Sequence, residues 1–293
     1  MITDVEAYVP NWPGPKQHAE ATAAIIRPFC SVTILDNPDD YFNAQWHRAR
    51  TLFLSKHRKG SLKSNALLWV MADIWPPKNF QGMLDAGRHI LSFPDVGWYA
   101  PDVAWTSYIY DDKYSLPCLI PQVFEVPNTD SLCFMIRGDV VEAMPFIDPK
   151  VSFMWGMDFI AIATAKLLNL KAVRDYRFKA EHPNSTNYNI DAASQGMVPL
   201  FESLDPKLLG MVKWLIQETE RLRHPLPKAP PGPSGSLSDV ERNQIESARQ
   251  FKRTNQKPEP QVSSGSLSDL EKNQIESAKR FKQTRWVNHK FAR

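Results

Sequence analysis

Three aspartates sit where apolar runs begin or end, and a carboxylate so placed can ligate a hard cation or take up a proton. Asp36 follows Val32-Thr-Ile-Leu35 and precedes Asn37-Pro38. Asp73 follows Leu67-Leu-Trp-Val-Met-Ala72 and stands just before the stop Trp75-Pro-Pro77. Asp158 follows Trp155-Gly-Met157 and opens the apolar stretch Phe159-Ile-Ala-Ile-Ala-Thr-Ala-Lys-Leu-Leu168. Taken singly, each also suits a helix cap or a loop, and Asp158 would favour a helix N-terminus electrostatically.

The elements that must hold these acids alternate. The pattern predicts strands at Val5–Val9, Ser31–Leu35, Ala66–Ala72 and Val96–Tyr99. Between them it predicts helices from Pro15 to Pro28, from about Tyr41 to Lys56 and from about Phe80 to Leu91. A βαβαβαβ order implies an α/β fold, a mostly parallel sheet with helices on both faces, whose ligands bind beyond the carboxyl ends of the strands. Asp36 and Asp73 fall at such ends.

In this order the segments resemble the GT-A glycosyltransferases, especially the family 2-like inverting enzymes, over about residues 3 to 190. Val5-Glu-Ala-Tyr-Val-Pro-Asn11 looks like their first strand and nucleotide-facing turn, and Val32-Thr-Ile-Leu-Asp-Asn37 like the strand whose acid contacts the base. Asn43-Ala-Gln-Trp-His-Arg-Ala-Arg50 is similar to their helix near the diphosphate, and Met71-Ala-Asp-Ile74 lies where Asp-x-Asp belongs. Asn128 to Gly138 resembles the acceptor-side strand, Trp155-Gly-Met-Asp158 the segment of the catalytic base, and Asp175 to His182 the final strand with its metal-binding histidine. One departure counts: Met71 replaces the first acid of Asp-x-Asp, so any contact that acid makes to ribose or metal is missing.

The resemblance implies a GT-A (Rossmann-like) sheet and a nucleoside diphosphate sugar as donor. It implies a donor site of Pro10, Asn11, Asp36, Arg48, Arg50, Asp73, Trp155 and Gly156, with Gly156 small enough for a sugar to approach the backbone. It makes Asp73 and His182 ligands of a divalent cation that neutralises the leaving diphosphate, Mn2+ better than Mg2+ because a histidine is among them. Asp158 becomes the general base of one inverting displacement. Trp98, Trp105 and Trp155 are candidates for stacking, with core or rim packing the plainer reading.

Other classes find less support. No apolar run reaches the roughly eighteen residues of a membrane span, and Met1-Ile-Thr-Asp-Val-Glu6 is no signal peptide, so a cytoplasmic protein is expected, in a host cytoplasm if viral. No dinucleotide fingerprint, P-loop or nucleophile elbow is present. Cys30, Cys118 and Cys133 lack metal-ligand spacing and read as core thiols, and His47, His57 and His89, on expected helices or loops without carboxylate partners at metal spacing, read as surface residues.

The net charge of +3 is uneven: residues 227–293 hold 13 Lys and Arg against 7 Asp and Glu. This divides the chain into a catalytic domain, 1–224, a Pro-rich linker, 225–233, and a basic tail, 234–293. In the tail Ser234–Thr254 returns as Ser264–Thr284 with 16 of 21 positions identical, and the capping boxes Ser238-x-x-Glu241 and Ser268-x-x-Glu271 predict two short helices, a C-terminal helical extension. Arg242, Arg249, Arg253, Lys272 and Lys279 are its candidates for contacting a partner. Two readings are open: apolar stripes docking on the catalytic domain, a sister subunit or a protein partner, or basic faces following a phosphate backbone.

The expected function is sugar transfer with inversion to an acceptor hydroxyl, a hydroxymethylated pyrimidine in DNA being one acceptor of phage-type enzymes of this build. Glycan or protein acceptors, and a non-catalytic GT-A-like binding protein, are the alternatives.

Overall fold

The run Asn65-Ala-Leu-Leu-Trp-Val70 is buried at every position, as a strand covered on both faces must be. Phe80, Met83, Leu84, Gly87, Ile90 and Leu91 are buried at the spacing of one helix face, and Asn79 caps that helix by accepting from the Gly82 amide. Such segments build the fold in the computed structural model, which describes residues 1–11, 16–36, 42–57, 61–103, 116–117, 120–147, 155–182 and 190–222, all within the unit 1–223. Trp105, Cys118, the linker and both repeats, with Arg242, Arg249, Arg253, Lys272 and Lys279, lie outside the described residues.

The chain runs β1 (Asp4–Pro10), α1 (Lys16–Ile26), β2 (Ser31–Leu35), α2 (Phe42–His57), a 3-10 turn (Leu62–Ser64), β3 (Asn65–Val70), α3 (Phe80–Leu91) and β4 (Val96–Val103). It continues with β5 (Leu116–Pro117), β6 (Val123–Glu125), β7 (Cys133–Arg137), α4 (Gly138–Ala143), α5 (Met157–Leu167), β8 (Lys171–Ala180), α6 (Ile190–Glu202) and α7 (Pro206–Leu222). The sheet order is β2-β1-β3-β7-β4-β8-β6-β5. β1 is parallel to β2 and β3, and β4 to β8; β7 is antiparallel to β3 and β4, and β6 to β5 and β8. The sheet is therefore mixed but mostly of one direction, with β6 and β7 reversed.

Helices cover both faces. Tyr8, Trp69, Trp98 and Phe134 pack with the buried residues of α2, α4, α5 and α7, while Val9, Leu68, Tyr99 and Met135 pack with those of α1 and α3. Trp98 is stacked on Phe134 with ring centroids 4.0 Å apart and is 1% exposed, so it serves packing. The architecture is α/β, a mixed sheet with helices on both faces.

Two expectations about single residues change. His57 is buried, not on the surface: its ring lies against Phe53, and Nε2 is 3.2 Å from Glu6 Oε2, a partner 51 positions away that no local spacing could reveal. Cys133 is a core thiol, pushed by burial up to about 12, whereas Cys30 is half-buried. No described helix is long and apolar enough to cross a membrane.

Candidate functional site

Backbone hydrogen bonds gather the carboxyl ends of the first three strands. The Asn11 amide donates to Leu35 O at 3.2 Å and the Ala72 amide to Pro10 O at 3.2 Å. This brings Asn11, just past β1, beside Asp36, just past β2, and Asn11 Nδ2 donates to Asp36 Oδ1 at 3.0 Å. Asn11 is buried, and its Oδ1 has no hydrogen-bond partner among the described residues. A buried acceptor left unpaired is costly, and a ligand N–H would satisfy it.

After β3 the chain turns sharply, with the Ile74 amide donating to Met71 O at 3.1 Å. Thr22 on α1 fastens the turn by donating to Ala72 O at 2.9 Å. Asp73 stands at the third position of this turn, where aspartate is well tolerated. Trp75 and Glu181 then exchange two backbone hydrogen bonds, 2.8 and 2.9 Å, joining the turn to the segment just past β8. The next residue, His182, comes to lie with Nε2 3.1 Å from Asp73 Oδ2.

Both side chains are partly exposed, Asp73 at 34% and His182 at 14%. Among the described residues no three His, Cys, Asp or Glu side chains are grouped to hold a metal ion. The pair fits a cation that takes two protein ligands and the rest from phosphate oxygens and water, and an oxygen beside an imidazole suits Mn2+ better than Mg2+.

Asp158 lies in the first turn of α5 and is buried. Residues 168–170 join α5 to β8. Asn128 Nδ2 donates to Asp158 Oδ2 at 3.0 Å, across 30 positions of sequence. Burial lifts the carboxyl from its usual range to about 6; the hydrogen bonds from Asn128 and from backbone amides work against that rise, and the nearby charge of Asp130 adds to it.

Gly156 has another use than the one expected of it. It caps α5 at φ 91°, a conformation that favours glycine, and a Cβ there would lie 2.7 Å from the Phe201 ring. The Phe201 ring of α6 fills the space a Cβ would take. Trp155 precedes it, half-buried.

The two arginines of α2 differ in their surroundings. Arg48 is exposed, and Arg50 donates to Val141 O at 3.0 Å, Glu142 O at 3.0 Å and Met144 O at 2.7 Å, holding the carbonyls at the end of α4. Arg50 is thus engaged as a helix cap. Sequence reasoning placed Asn128 and Asp130 in the segment resembling the acceptor-side strand but gave neither a role of its own; the signal was a polar Asn-Thr-Asp between β6 and β7.

No protein-family model and no curated protein matches the chain. Among solved structures it is similar to GalNAc-T7 with UDP, GalNAc and Mn2+, with TM-score 0.44 and 12% identity, covering 88% of this chain and 59% of that one. It is also similar to a glycosyltransferase involved in glycosylation of the major capsid of PBCV-1, with TM-score 0.31 and 15% identity, covering 48% and 63%. A third is UDP-glucose pyrophosphorylase complexed with UDP-glucose, with TM-score 0.34 and 10% identity, covering 69% and 82%. The chain thus spans less than two thirds of the first two. TM-scores below 0.5 transfer no residue, substrate or metal to this chain.

Proposed function

We propose that the chain is a glycosyltransferase that moves a sugar from a nucleoside diphosphate to an acceptor hydroxyl with inversion. One observation carries this reading: the pairs Asn11–Asp36 and Asp73–His182, from four separate segments, stand just past the carboxyl ends of β1, β2, β3 and β8. That is where such sheets take nucleotides.

In this reading Asn11 and Asp36 offer an acceptor and a carboxylate to the nucleotide's base and ribose, with Pro10 shaping the turn. Asp73 and His182 would hold a divalent cation, which when bound neutralises charge on a diphosphate. Asp158 takes the proton of the acceptor hydroxyl as that oxygen attacks the anomeric carbon from the face opposite the diphosphate. A base near 6 is ionised at neutral pH and still basic enough for a hydroxyl that acidifies as its new bond forms. Residues 1–224 act as the catalytic domain and 234–293 as a tethered tail.

For the acceptor, the basic duplicated tail supports DNA, a hydroxymethylated pyrimidine supplying the hydroxyl. Met71, in place of an acid, favours one rival, a binding protein that keeps the donor site without transfer. Turnover of UDP-, GDP-, CMP- and dTDP-sugars by the full chain, with and without Mn2+, separates the two. Turnover that falls about 10²-fold or more in Asp158→Asn supports the enzyme; no turnover of any donor, or undiminished turnover in the variant, overturns it.

A further inference from the structure

We infer that Asn128 is a positioning residue, holding the Asp158 carboxylate ionised and aimed for proton transfer through the 3.0 Å bond from its side-chain amide. The inference rests on the reading of Asp158 as the base.

Both partners are out of water. Asn128 is 0% exposed and Asp158 6% exposed, so neither can exchange its partner for solvent without moving the backbone. An amide N–H can only donate, and an ionised carboxylate can only accept, so the bond favours the charged form of the acid. A donor at Oδ2 also fixes the plane of the carboxylate, because rotation about its last bond would carry the oxygen away from the amide. Asn128 stands on the segment between β6 and β7 and Asp158 on α5, so the bond joins separate elements and sets where the helix presents its acid.

On the elements packed against α5, Glu142 of α4 and Lys207 and Lys213 of α7 are exposed, Arg174 of β8 is ion-paired with Asp102 of β4, and Lys166 on α5 itself with Glu125. The nearby charge of Asp130 acts on Asp158, and it is of the same sign. Burial and Asp130 press the acid toward its neutral form, in which it cannot accept a proton. Asn128 and the backbone amides at the start of α5 oppose them. The protein thus keeps a buried carboxylate poised near neutrality instead of neutral.

The test needs no acceptor. Asn128→Leu keeps volume and removes the donor; carbon-13 NMR of labelled aspartate, with Asp158→Asn to assign the signal, reads the ionisation of Asp158 in the full chain. The midpoint is expected to rise from near 6 by about one unit or more, in a protein whose cooperative unfolding is retained. In donor turnover, kcat at pH 7 should fall about twofold for a rise of one unit and about tenfold for a rise of two, with KM for the donor unchanged, and recover as pH is raised, which a general loss of structure would not do. Asn128→Thr, which keeps a donor, should lie between wild type and Asn128→Leu in both measurements. A midpoint that stays in place in folded Asn128→Leu overturns the inference alone. Full activity in Asp158→Asn overturns the reading beneath it, and the inference with it.

Discussion

Asp73 and His182 are 109 positions apart in the chain and 3.1 Å apart in space, joined by a turn after β3 and a segment after β8 that pair through Trp75 and Glu181. If they share a cation with a diphosphate, the nucleotide should stabilise the folded chain in Mn2+ and lose most of that effect in chelator, since a ligand of the folded state alone raises its stability. Asp73→Ala should make the two conditions alike. Thermal shift with a nucleoside diphosphate reads this directly, and equal stabilisation in chelator and Mn2+ removes the metal from the proposal.

Asp158 should set an acid limb in the rate. Its midpoint near 6 predicts that kcat climbs as pH rises through 6 and levels above about 7. Stability should run the other way. A carboxyl raised in the folded state lends stability fully below the usual carboxylate range, about pH 4, and loses it as pH rises through 6. The loss is about 3 kcal/mol for a rise of about two units. Asp158→Asn, neutral throughout, should lack this pH dependence and melt no lower than wild type at pH 7, while transferring sugar poorly. Parallel melting curves from pH 4 to 8 check the sign.

Much of this was legible because local pattern decides it. The alternation of strands and helices up to β4, the burial of Leu67-Leu-Trp-Val70, and the placing of Asn11, Asp36 and Asp73 just past strand ends follow from periodicity and turn residues. Contacts between distant segments did not follow. The Glu6 that buries His57, the carbonyls that occupy Arg50, the Phe201 ring over Gly156 and the Asn128 amide on Asp158 come from elsewhere in the chain, and spacing along one segment says nothing of them. The reversed strands β6 and β7 escaped for the same reason: a short apolar run does not announce its direction.

Gly156→Ala should be severe. The new methyl meets both an unfavourable φ and the Phe201 ring, for a cost of about 2–5 kcal/mol. Phe201→Ala placed in that variant removes the collision but not the backbone strain, so part of the loss should return. Urea unfolding of the single and double variants measures the two contributions, and a Gly156→Ala protein as stable as wild type would contradict the geometry.

Arg50→Ala separates support from binding. Losing the guanidinium leaves three carbonyls at the end of α4 without their donor, and stability should drop by about 2–4 kcal/mol. Nucleotide affinity in the variant should change less than about twofold at a temperature where it remains folded. A selective fall in affinity would return Arg50 to the donor site.

The tail gives the test of acceptor. Truncation after Pro227 removes both repeats and leaves Asp36, Asp73, Asp158 and His182 in the chain. If the repeats hold DNA, activity on long DNA should fall and become less sensitive to salt, while donor hydrolysis and short acceptors are untouched. Equal loss on every acceptor, with a lower melting temperature, would mean that the apolar stripes dock on the protein.

The place of β7 bears on how the molecule is made. β3 carries Asp73 at its end, yet its neighbour away from β1 is β7, which pairs Ala66 with Arg137 and Val70 with Cys133. During synthesis β1, β2 and β3 emerge first, and until residue 137 has followed, β3 offers an unpaired apolar edge of the kind that joins other chains. Closing it requires contacts far apart in sequence, which form slowly. Fragments ending before Cys133 should therefore aggregate, and refolding of the whole chain should yield less as its concentration rises, with the candidate metal pair among the last features to assemble.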